Sequence, residues 1–140
     1  MSRTRYCFEL KMDSLHIPAT KATPEILFDP KTESFTITGR SIPADAADFY
    51  LPLDRWVEKF VPIQKSDSIT IDIKLDHLNT GSVRSLLAIL AKIIKLREQQ
   101  VNVMINWHHD MDDEDMVDKG EEMSLILEHP FRFVPFRDDD

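Results

Sequence analysis

Ser68-Ile69-Thr70-Ile71-Asp72-Ile73-Lys74-Leu75 puts Ile69, Ile71, Ile73 and Leu75 on one face of an extended chain and its polar residues on the other. That alternation marks a strand in a sheet covered on one side. Val101, Val103, Ile105 and Trp107 repeat it. Between the two runs, Val83, Leu86, Leu87, Leu90, Ile93 and Ile94 recur at helical spacing, while Arg84, Lys92, Lys95 and Arg97 fall on the wet side. A strand, a long helix and a second strand predict a right-handed crossover between parallel strands, hence an α/β fold. The turn Asn79-Thr80-Gly81-Ser82 then lies at the carboxyl end of the first strand, the edge where such sheets collect their sites.

Working outward, Ile26 with Phe28 and Phe35 with Ile37 alternate on either side of Asp29-Pro30-Lys31-Thr32-Glu33, which predicts a hairpin. Pro43-Ala44-Asp45 opens a helix whose Phe49, Leu53, Trp56, Val57 and Phe60 form a core stripe, and Pro52 is expected to kink or divide it. Beyond Trp107 the sequence predicts an acidic loop, a short helix near Glu121 to Glu128, and a strand through Phe131, Phe133 and Phe136. Residues 1–14 read as an N-terminal extension or an extra strand, on the alternation of Tyr6, Phe8 and Leu10. Residues 15–140 read as one domain.

The 140 residues suffice for a core without staples, and Cys7 is the only cysteine, so no intrachain disulfide can form. No apolar run reaches the roughly 20 residues of a membrane span. These features predict a soluble chain in a reduced, cytoplasmic setting, without membrane insertion. Seventeen basic against twenty-five acidic residues leave a formal charge of −8, which argues against nucleic acid as a partner.

Asn, Ser and Thr are preferred N-cap residues, so the turn at 79–82 first of all predicts capping. Its hydroxyls also stand where helix N–H groups and the dipole favour negative charge, so Thr80 or Ser82 would carry a phosphate at little cost. Asp110, Asp112, Glu114 and Glu121 fall at positions one, three, five and twelve of a calcium loop, the alternative reading of this chain as a divalent-metal-binding module. Asp115 stands where that loop requires Gly, and a solvated acidic loop is the simpler reading. Adjacent His108 and His109 point to opposite faces of a strand, which excludes a zinc pair. No nucleophile-elbow motif is present, and three glycines cannot write a dinucleotide fingerprint or P-loop. His77 beside Asp76 is the remaining enzymatic constellation, supported by position alone. The reading is of a non-enzyme without a cofactor.

Several phrases in order resemble the SiaC family of regulatory phosphoproteins. They are Thr20 with Thr23-Pro24-Glu25-Ile26 and Phe28-Asp29, Gly39-Arg40-Ser41 with Pro43, and Phe49-Tyr50-Leu51-Pro52-Leu53 with Trp56. The Leu75–Ser82 turn, Asn106-Trp107, Asp112-Asp113-Glu114-Asp115, Gly120-Glu121-Glu122 and Pro130-Phe131 follow. The resemblance implies a mixed sheet with helices mainly on one face, similar to STAS-type anti-sigma-factor antagonists. It further implies a protein kinase and a protein phosphatase acting on Thr80, with Ser82 as the alternative acceptor. The unphosphorylated form would bind a signalling partner such as a diguanylate cyclase, through a surface comprising Asn79, Thr80, Gly81, Ser82 and Arg84. Gly81 stands where the family has Ser, which removes a hydroxyl and frees the backbone.

Overall fold

The computed structural model describes residues 12–137, so the expected strand at Tyr6–Leu10 and Cys7 lie outside the described residues. Strands β1 (Leu15–Ile17), β2 (Glu25–Asp29), β3 (Ser34–Ser41), β4 (Ser68–Leu78), β5 (Asn102–Asp110) and β6 (Arg132–Phe136) form one sheet in sequence order. The first two pairings are antiparallel; β3–β4, β4–β5 and β5–β6 are parallel. Helix α1 (Ala46–Ile63) joins β3 to β4, α2 (Thr80–Ile94) with a 3-10 turn (Lys95–Gln99) joins β4 to β5, and α3 (Glu114–Leu127) joins β5 to β6.

The hairpin and the central parallel unit follow the expected pattern. Ile69, Ile71, Ile73 and Leu75 of β4 and Val103, Ile105 and Trp107 of β5 are buried. So are Leu53, Trp56, Val57 and Phe60 of α1, Leu86, Ile89, Leu90, Ile93 and Ile94 of α2, and Met116 and Met123 of α3. Each large aliphatic side chain so buried contributes about 1.5–3 kcal/mol of transfer free energy. The alternate positions form a polar face, where Asn106 Nδ2 donates to Asp72 Oδ1 at 2.9 Å and His108 Nε2 lies 2.9 Å from the same oxygen. Helix α1 is tied to α2 by Lys92 Nζ, 2.6 Å from Asp54 Oδ1 and 3.0 Å from Glu58 Oε2.

Three expectations need correction. Of the expected kink or division at Pro52, division does not occur: α1 runs from Ala46 to Ile63 with Pro52 and Pro62 inside it. Pro52 and Asp48 are both exposed, so water can serve the Asp48 carbonyl that the missing N–H leaves free. β4 continues past Leu75 to Leu78 through a bulge at Asp76, the extra residue that lets Gly39 pair with Leu75, Arg40 with His77 and Ser41 with Leu78. Gly39 has φ 126, a conformation that side chains other than glycine's rarely tolerate. Lastly, α3 starts at Glu114, not near Glu121. The expected acidic loop is its start: Asp113 Oδ1 accepts from Met116 N at 3.1 Å, and Glu114 and Asp115 occupy the first turn, where negative charge suits the dipole.

His129, after α3, is buried and bridges two elements. Its Nε2 donates to Val103 O at 2.8 Å, and its Nδ1 lies 3.1 Å from Arg97 Nη1, from which it accepts. Burial holds the imidazole below its usual range, the Val103 carbonyl opposes this, and the Arg97 charge adds to the lowering. A depressed folded-state value means the unfolded chain takes the proton first. The stability this group contributes is therefore complete above the unfolded value of about 6.5 and is lost as pH falls through the folded one. Denaturant unfolding at about pH 7.5 and about pH 5.5 is expected to show a larger loss for the parent than for His129→Gln, which lacks the titrating group.

Candidate functional site

Asn79 closes β4 and caps α2. Its Oδ1 accepts from Ser82 N at 2.9 Å, its Nδ2 donates to Pro43 O at 3.0 Å, and its own N–H donates to Ser41 O at 3.0 Å. One asparagine thus joins the starts of α1 and α2 to the end of β3, as its N-cap preference predicts. Thr80, the first helical residue, is exposed. Ser82, two residues on, is 0% exposed, with its Oγ 2.7 Å from Ser41 Oγ and donating to Ser41 O at 3.2 Å. Tyr50 OH, from α1, reaches the same Ser41 Oγ at 2.7 Å. Burial pushes the Tyr50 phenol up to about 12, opposed by the Ser41 and Ser82 hydroxyls beside it.

The geometry separates the two hydroxyls of the turn. Ser82 Oγ, the expected alternative acceptor and contact residue, is enclosed and bonded to Ser41. Thr80, Gly81 and Arg84 are exposed and Asn79 is half-buried. A Cβ at Gly81 would meet Ala46 Cβ at 3.1 Å, so glycine here serves the close approach of α1 and α2. Arg40 and His77 flank this end of the sheet as exposed partners of Asp76, at 3.9 and 3.2 Å. Exposed pairs of this kind add little stability.

The metal alternative does not assemble. Asp110 Oδ1 accepts from Asp112 N at 2.8 Å, Asp113 caps α3, Glu114 lies in its first turn and Glu121 farther along the helix. Among the described residues no group of three or more His, Cys, Asp or Glu side chains is placed to hold a metal ion. Titration calorimetry with calcium is expected to show no saturable heat at roughly millimolar ion, weaker than the sensor sites that such loops form.

Ser41 and Tyr50 join this site without a motif of their own in the sequence. Their signals are a serine after the Gly39-Arg40 pair, and a polar-tipped ring inside an apolar stripe.

Fold and turn together define a class: a sheet covered by helices on one side, with an exposed threonine at the start of its crossover helix. The family model for SiaC family regulatory phosphoproteins matches residues 17–136, and the chain belongs to that family. It is 28% identical over 120 residues to an uncharacterized protein of Pseudomonas aeruginosa (strain UCBPP-PA14), covering 86% of this chain and 94% of that one. Apo-SiaC from Pseudomonas aeruginosa superposes with a TM-score of 0.78 at 27% identity, over 88% of this chain and 99% of that one. A chain from the crystal structure of the diguanylate cyclase SiaD in complex with its activator SiaC gives 0.79 at 27% identity, over 87% and 99%. The α/β fold is that of the SiaC structures. Among the described residues no helix is long and apolar enough to cross a membrane.

Proposed function

We propose that this chain is a non-enzymatic, cytoplasmic regulatory phosphoprotein in which phosphorylation of Thr80 gates docking to a signalling partner. A protein kinase adds the phosphate and a protein phosphatase removes it. The partner is a diguanylate cyclase, on the likeness to a SiaC that is described as the activator of SiaD. One observation carries the reading: the turn exposes Thr80 at the mouth of α2 while it buries Ser82.

Phosphate adds about −1.5 to −2 charges at neutral pH. Beside the free N–H groups of a helix start the fold tolerates that charge. A partner packed over Asn79, Thr80, Gly81 and Arg84 does not, because the dianion must lose water or repel facing carboxylates. Phosphopeptide mapping of the protein recovered from its native cell is expected to place phosphate on Thr80. Recovery of phosphate on other residues only, or on none in cells that contain the kinase, would overturn the reading.

A further inference from the structure

Two phrases of the family resemblance, Gly39-Arg40-Ser41 and Phe49-Tyr50-Leu51, meet beneath the 79–82 turn. Ser41, Tyr50 and Ser82 are 0%, 1% and 0% exposed. Their oxygens lie at 2.7 Å for Tyr50–Ser41, 2.7 Å for Ser41–Ser82 and 3.2 Å for Ser82 to the Ser41 carbonyl. The hydrogens can be assigned with none left over. Tyr50 O–H donates to Ser41 Oγ, Ser41 O–H to Ser82 Oγ, and Ser82 O–H to Ser41 O. Each bond broken would strand a buried polar group, so the set holds together as a unit.

We propose that Ser41 and Tyr50 are positioning residues that lock the Ser82 hydroxyl and seat the first turn of α2, making Thr80 the hydroxyl this turn offers to a modifying enzyme. The proposal rests on Thr80 as acceptor and adds what selects it. Thr80 and Ser82 are two residues apart, so a kinase that reads local sequence meets two hydroxyls at almost the same address. Thr80 can enter an active site without disturbing the fold. Ser82 can do so only after the start of α2 opens and its bonds to Ser41 break. The Tyr50 phenol, pushed up to about 12, stays a donor throughout the physiological range.

The test uses the full chain with Tyr50→Phe, which keeps the ring, and Ser41→Ala. Amide exchange by NMR is read at Ser82 and Val83, whose N–H groups bond to Asn79. Both variants are expected to open the helix start roughly tenfold more often, equivalent to about 1.4 kcal/mol, with β4 and β5 amides unchanged. Each protein is then incubated with ATP and extract of the native cell, and the phosphate is mapped. Phosphate is expected on Thr80 alone in the parent and on both hydroxyls in the variants. Ile105→Val, a loss of similar size far from the turn, is expected to keep the parental pattern. Unchanged exchange in both variants, phosphate on Ser82 in the parent, or the same spread in Ile105→Val would overturn the proposal. Faster exchange with phosphate on neither hydroxyl in any protein would leave the lock standing and remove the phospho-switch reading.

Discussion

Gly120→Ala is expected to destabilise the protein by about 2–3 kcal/mol, read as a lower urea midpoint at unchanged slope. Gly120 lies in α3 where the helix crosses Trp107, which is 1% exposed. A Cβ there would stand 2.6 Å from Trp107 Nε1, 2.7 Å from its Cδ1 and 2.8 Å from Phe133 Cε2. None of these neighbours can give way freely. Trp107 Nε1 donates to Met116 O at 2.9 Å, one turn earlier in the same helix, and its ring stacks on Phe131 with centroids 5.8 Å apart. Moving the indole breaks a buried hydrogen bond worth about 1–3 kcal/mol when its donor is stranded. Moving the helix strips Met116 and Met123 from the core. Alanine's better helix propensity offsets only about 1 kcal/mol. A stability within about 0.5 kcal/mol of the parent would show that α3 rides more loosely on the sheet than these distances allow.

Gly120 also shows what a single sequence conceals. Glycine inside a helical pattern counts against the helix, and the acidic run before it suggests a loop, so the sequence alone points to a start near Glu121 where α3 begins at Glu114. The reason for the glycine is a tryptophan on a neighbouring strand, a long-range fact without local trace. The reverse holds for β4, β5 and α2. Their apolar periodicity is strong because each buries one face only, so burial itself wrote the pattern. β4 past Leu75 is hidden because the bulge at Asp76 breaks its alternation, leaving Asp76 and His77 both exposed before Leu78 turns in. β1 is three residues long, too short for any period. At the site, Asn79 was legible as a cap and Thr80 as a helix-start hydroxyl. Separating Thr80 from Ser82 required Ser41, forty-one residues away, and Tyr50.

Stoichiometric phosphorylation of Thr80 is expected to weaken binding to the signalling partner at least roughly tenfold, while the unfolding free energy shifts by no more than about 0.5 kcal/mol. The two halves of this expectation follow from one position. As the first residue of α2, Thr80 holds its oxygen in water next to N–H groups that the helix leaves unbonded, so the free protein gains as much from the charge as it loses. With the lock beneath it intact, no element has to move. On the proposed docking surface the same oxygen would lie under the partner, where about two negative charges would have to be desolvated, and about 1.4 kcal/mol of that penalty already gives the tenfold loss. Thr80→Val, which keeps the shape and removes the acceptor, is expected to bind like the unmodified parent. Thr80→Glu carries a smaller charge and is expected to fall between the two. The measurements are calorimetric binding to a diguanylate cyclase that the unmodified protein activates, and urea unfolding of the same phosphorylated sample. Equal affinity of the two forms would remove the gate. A phosphorylated form that binds weakly but is also destabilised by more than about 2 kcal/mol would instead make the switch an unseating of α2, and would mean that the Ser41–Tyr50–Ser82 bonds fail when the charge arrives.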